Sequence, residues 1–114
     1  MIHILDEIVL DAAHVPAALA LLEERYLPGS AARGLTLLHR WLSPPVAVDD
    51  APNTLWLLWQ LPDAPAYYRM RSTAGADVPA FWSALDQLCR QRRRHVMTDA
   101  GQPLAQPMEY SHAA

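Results

Sequence analysis

Three side chains of this sequence have the types and the spacing for proton transfer: His3, Glu7 and His39. A carboxylate or imidazole held between apolar walls has its pKa moved toward the working pH, the condition for general acid–base catalysis. His3 and Glu7 lie in Ile2 to Leu10, a β-branched and aliphatic run, and at the two-residue period of a strand they share one side. His39 lies in a second extended run. With the two strands as neighbours in one sheet, His39 acts as the base or acid and His3 and Glu7 support it. The walls of such a pocket would come from Leu5, Val9, Leu37, Trp41, Trp56 or Trp59, Tyr67 and Trp82. Tryptophan offers a large flat face with a single N–H donor, which suits a flat apolar molecule bearing an oxygen. The plainer alternative is that His39 and Trp41 only pack in an interface.

Other chemistries find less support. The histidines, at 3, 14, 39, 95 and 112, show no His-x-x-x-His spacing, and a site for zinc needs at least three converging ligands. A His3/Glu7/His39 cluster is the one geometric route to a metal, and the expectation is a metal-free protein. With four glycines and no glycine-rich phosphate loop, no nucleotide cofactor is expected either. No serine stands in a nucleophile elbow. Cys89 is the single cysteine, so no internal disulfide can form. It is expected near the C-terminal end of a helix, where the dipole disfavours a thiolate, as a small core residue. The run Arg90-Gln91-Arg92-Arg93-Arg94 is expected to close that same helix, where cations suit the dipole, with Asp86 paired to Arg90. A net charge of −3 and a pI near 5.9 argue against a general nucleic-acid partner.

Periodicity gives the strands and helices that carry these groups. Ile2, Ile4, Ile8 and Leu10 share one face of the first strand, interrupted by Asp6; His3, Leu5, Glu7 and Val9 share the other. Pro16 suits a helix first turn, and Val15, Leu19, Leu22 and Tyr26 form one stripe, so a helix is expected over 15–27 with Leu27-Pro28-Gly29 as its stop. In the second strand, 34–43, Leu35, Leu37, His39 and Trp41 share a face opposite Thr36, Leu38, Arg40 and Leu42. The His39 face is assigned to the pocket because a helix-packing face should be aliphatic, which sends Arg40 to the helix side. Residues 44–53, with three prolines, form a loop. The third strand, 54–61, is apolar on both sides. Asp63 caps a short helix. Asp77 or Val78 starts the last one, in which Phe81, Leu85 and Leu88 share a face. A fourth strand has two candidates, His95 to Thr98 and Leu104 to Tyr110, the second confined to an edge by Pro107.

A chain of 114 residues holds one core. Residues 1–100 are expected as the domain and 101–114 as a C-terminal tail. Hydrophobic residues at 52% and charged residues at 18% exclude a disordered chain. No apolar run approaches the roughly 18 residues of a spanning helix. The acidic start has no basic region of a secretory signal, so a soluble cytoplasmic protein of bacterial type is expected, without a membrane partner. The order strand, helix, strand, strand, helix and a short strand is the split βαβ of the ferredoxin-like α+β class, βαββα(β). Helices cover one face of such a sheet. The bare face here carries tryptophan and leucine, which marks an interface and predicts a homodimer with its two sheets face to face.

The stretch Asn53-Thr54-Leu55-Trp56-Leu57-Leu58-Trp59-Gln60-Leu61-Pro62-Asp63-Ala64-Pro65-Ala66-Tyr67-Tyr68-Arg69-Met70-Arg71, together with Phe81-Trp82, resembles the dimeric α/β-barrel superfamily over roughly residues 2–98. The nearest likeness is to NIPSNAP-like proteins, and a more distant one to the EthD-like and antibiotic-biosynthesis monooxygenase groups. Trp59, Asp63 and Arg69 or Arg71 match the tryptophan, acid and arginine-bearing helix of NIPSNAP-like chains. Leu57 replaces a histidine common there, and Ile4 and Asp6 stand where a glutamate and an arginine are common. The resemblance implies the fold more than an activity. The expected function is a small-molecule-binding barrel, an isomerase, cyclase or monooxygenase-like enzyme without a cofactor, acting on a hydrophobic aromatic or polycyclic compound. The other class it allows is a non-catalytic ligand-binding or protein-interaction module.

Overall fold

A computed structural model describes residues 1–104 of the chain. Its order is β1 (Ile2–Leu10), a helical stretch from Ala12 to Arg33 that contains α1 (Val15–Leu21) and α2 (Leu27–Ser30), β2 (Thr36–Ser43), β3 (Asn53–Leu61), α3 (Ala64–Ser72), α4 (Asp77–Asp86) and β4 (Cys89–Thr98). The strands form one antiparallel sheet in the order β2-β3-β1-β4, a ferredoxin-like α+β fold. All helices lie on one side. The core is therefore a single layer between helices and sheet, and the second sheet face has no covering element among the described residues.

Period two decides that division. Along β1 the residues Ile4, Asp6, Ile8 and Leu10 are buried, and along β3 so are Asn53, Leu55, Leu57, Trp59 and Leu61. Ala18, Leu22 and Tyr26, Ala66 and Met70, and Phe81 and Leu85 close the layer from above. Each fully buried large apolar side chain contributes about 1.5–3 kcal/mol relative to exposure. The α3 cap forms as its sequence implies: the Ala66 N–H donates to Asp63 Oδ1 at 2.9 Å.

Three local expectations give way. The first helical stretch does not stop at Pro28-Gly29. A π-helical turn over Leu22–Tyr26 widens the helix, and Pro28 falls in the first turn of α2, where a missing N–H costs nothing. The stretch ends at Gly34, whose φ of 81° is a left-handed conformation in which a β-carbon would be strained. The arginine run and Cys89 lie on β4, not on a helix: α4 ends at Asp86 and the chain turns back at once. Alternation along β4 then separates Arg92 and Arg94 from Arg93 and His95. Accordingly Asp86 pairs with Arg92, at 2.6 Å, and Arg90 with Asp11. Of the two candidates for a fourth strand, His95 to Thr98 belongs to β4. Residues 105–110 of the other, with His112 and most of the expected tail, lie outside the described residues.

Candidate functional site

The open sheet face carries all three groups singled out for proton transfer, but His39 stands apart from the other two. Cross-strand partners share a face, so register gives four rows running from β2 through β3 and β1 to β4. One reads His39, Leu58, Leu5, His95, and the next reads Trp41, Trp56, Glu7, Arg93. His3 and His39 are not on adjacent strands, because β3 lies between β2 and β1. With about 4.8 Å per strand, the whole of β3 separates His39 from His3 and Glu7. His39 instead stacks on Trp41, with ring centroids 4.7 Å apart. The partner of Glu7 is His95, at 3.1 Å between Oε1 and Nε2. Spacing along single strands could not reveal that pair, since β4 was legible only in part.

Four expected wall residues leave this face. A register shift between Leu37 and His39 turns Leu37 inward opposite Trp59, so Leu37 packs on the core while His39 and Trp41 face out. Trp59 is fully buried under the helices. Tyr67 and Trp82 belong to the helical layer and pack against the core from there. Leu5, Val9, Trp41 and Trp56 remain on the open side. Arg40 takes the helix-side position expected of it and meets Glu23 at 2.7 Å.

Beneath the helices lies a second polar group. Asp6 is 2% exposed, and an unpaired carboxylate there would be costly. Arg94, directly opposite on β4, donates Nε to Oδ1 at 2.7 Å and a terminal nitrogen to Oδ2 at 2.9 Å. The Trp59 indole N–H donates to Oδ2 at 2.9 Å. Burial works against the charge of Arg94, but the hydrogen bonds and charge of Asp6 outweigh it and hold the guanidinium above its ordinary range. A terminal nitrogen of Arg94 also donates to the Tyr26 hydroxyl at 3.4 Å, and its guanidinium stands 4.8 Å over the Trp82 ring.

Arg94 and Tyr26 border a cavity of about 180 Å³. Met70, Ala74 and Val78 give it apolar walls, and Arg33 and Arg71 bring two further guanidinium groups. This site was missed in the sequence because the arginines read as a solvated helix end. One signal was present. Asp6 interrupts a core face, so it requires a buried cation, and the run at 90–94 is a natural source.

No group of three or more metal-ligating side chains converges among the described residues. Cys89 is partly buried, and desolvation, reinforced by the Asp86 carboxylate, pushes its thiol up. Thiol alkylation at pH 8 is therefore expected to be severalfold slower in the folded chain than in urea, and faster in Asp86→Asn. Equal folded and unfolded rates would contradict this environment.

No family model and no curated protein matches the sequence. Solved structures do match its fold. An uncharacterized NIPSNAP domain protein from Burkholderia xenovorans superposes with a TM-score of 0.67 at 15% identity, covering 92% of this chain and 100% of that one. A NIPSNAP family protein of unknown function from Agrobacterium tumefaciens gives 0.67 at 17%, covering 92% and 94%. An antibiotic biosynthesis monooxygenase gives 0.59 at 15%, covering 88% and 99%. The fold expected from the resemblance is thus the fold observed, and identities this low speak for the fold alone.

Proposed function

We propose that this chain binds a small, flat, hydrophobic molecule bearing an acidic or phenolic oxygen in the cavity above Arg94. The carrying observation is a cation at the cavity edge that a buried aspartate holds in place. A fixed guanidinium next to apolar walls orients an oxygen at little cost in side-chain entropy. As an enzyme, the protein would move a proton on that ligand without a bound cofactor, with the Tyr26 hydroxyl as the nearest proton-carrying group. Substrates of this kind would place it in the metabolism of aromatic or polycyclic compounds. We further propose a homodimer through the open face, supported by Leu5, Val9, Trp41, Trp56, Leu58 and Met97 uncovered on one side of the sheet.

A second reading rests on the Glu7–His95 contact. A carboxylate that orients an imidazole is an acid–base unit, and with His3 and His39 on the same face it would act in the space between two sheets. The two readings separate in one experiment. Titration with 2-naphthoate should quench the fluorescence of Trp82 and Trp59, whose rings lie 5.5 and 5.2 Å from that of Tyr26. Ala74→Trp, which fills the cavity from an exposed position, should abolish binding. His39→Ala and His95→Ala should change it by less than about tenfold, because the walls supply most of the burial. Binding that survives Ala74→Trp but is lost in His95→Ala would move the site to the open face. If a ligand turns over, Tyr26→Phe should lower the rate by about a hundredfold or more. A ligand that binds and never turns over leaves a binding protein.

A further inference from the structure

The cavity above Arg94 is small for the job assigned to it. Ligand sites usually hold about 300–1,000 Å³, and this one holds about 180 Å³. A ligand of ordinary size reaches beyond it. The adjoining cavity, about 260 Å³, lies between the turn at Ala32, Arg33 and Gly34 and the flank of α3, and it shares Arg33 and Met70 with the first. Arg69 and Thr73, which do not border the first cavity, line it as well.

The charges there are unbalanced. Arg94 has Asp6, but Arg33, Arg69 and Arg71 have no carboxylate within 4.0 Å among the described residues. Of the carboxylates nearby, Asp63 caps α3, and Asp77, which like Arg33 lies close to Gly29, does not close to pairing distance with it. Arg33 is fixed over the Tyr26 ring, 4.6 Å from its centroid, and donates to the Tyr26 carbonyl at 3.3 Å. Its Nε is buried with no hydrogen-bond partner. Arg33 borders both cavities, so its guanidinium is offered to a group bound in either one. The chain as a whole carries −3, which makes a local surplus of cations the more specific.

We infer that the second cavity is an acid-binding subsite served by Arg33 and Arg69, and that the ligand is an apolar body with two acidic groups, one at each end. This rests on the cavity above Arg94 being the binding site. A guanidinium donates two parallel N–H bonds to a carboxylate or a phosphate alike, so both are accepted chemistries for the distal group. Arg94 and Arg71 hold the proximal oxygen. Met70, common to both cavities, supports the body between them.

The test compares three probes by quenching of tryptophan fluorescence: 2-naphthoate, naphthalene-2,6-dicarboxylate, and 2-naphthoate carrying a phosphate ester at the far end. The better of the two doubly acidic probes should bind about tenfold or more tighter than 2-naphthoate, and which one does so identifies the distal group. Arg69→Gln, at an exposed helix position, should reduce that advantage to about onefold while leaving 2-naphthoate unchanged, and Arg69→Lys should restore part of it. If 2-naphthoate binds and neither doubly acidic probe binds tighter, the subsite is wrong and the first cavity stands. An advantage that survives Arg69→Gln also overturns the subsite. If no probe binds, both the site and the subsite fall.

Discussion

Asp6→Ala is expected to destabilise the folded chain by about 3–5 kcal/mol, the cost of removing one partner of a buried ion pair. Two losses combine. Arg94 keeps a charge whose compensation is gone, and the Trp59 indole N–H loses its acceptor. A domain of this size has on the order of 5–15 kcal/mol in total, so the variant should melt well below the parent and unfold at much lower urea. Removing Asp86 from its exposed pair with Arg92 should cost only about 0.2–1 kcal/mol by comparison. Asp6→Leu with Arg94→Met should recover much of the loss, because an apolar pair of similar volume needs no desolvation of charge. That double variant should also lose binding at the cavity. A loss near that of the exposed pair for Asp6→Ala would show that Asp6 is not the anchor of Arg94.

Leu58→Asp and Trp59→Asp are expected to have opposite outcomes although the residues are adjacent. Leu58 lies on the open face between Leu5 and His39, and Trp59 is fully buried in the core. In Leu58→Asp the fold should survive, with a urea midpoint close to the parent. Light scattering at micromolar concentration should fall from about twice 12.7 kDa to a single chain, since a face-to-face dimer would bury the new carboxylate. In Trp59→Asp a second carboxylate enters beside Asp6 with one arginine to serve both, and cooperative unfolding should be lost. A parent chain that scatters as a monomer would sink the dimer. A folded Trp59→Asp would mean that Trp59 does not face the helices.

The histidines illustrate how far strand patterns reach. Period two placed His3 with Glu7 and set both opposite Ile4 and Ile8, and the structure keeps that division. It could not say which strand lies beside which. The order β2-β3-β1-β4 separates His39 from Glu7 and brings in His95. Likewise, a single register shift near Leu38 reverses Leu37 with respect to His39, and nothing in a run of alternating leucines announces it.

The ferredoxin-like order of elements, the apolar character of β3, the Asp63 cap and the anomaly at Asp6 are all legible along the chain, because they depend on neighbours within a few residues. The place of Arg92 and Arg94 on a strand, the buried hydrogen bond between Trp59 and Asp6, and the gathering of Arg33, Arg69, Arg71 and Arg94 at two cavities emerge from the folded chain alone. The reason is distance along the chain. Arg94 meets a carboxylate 88 residues away, and no local period carries information about a partner that far off.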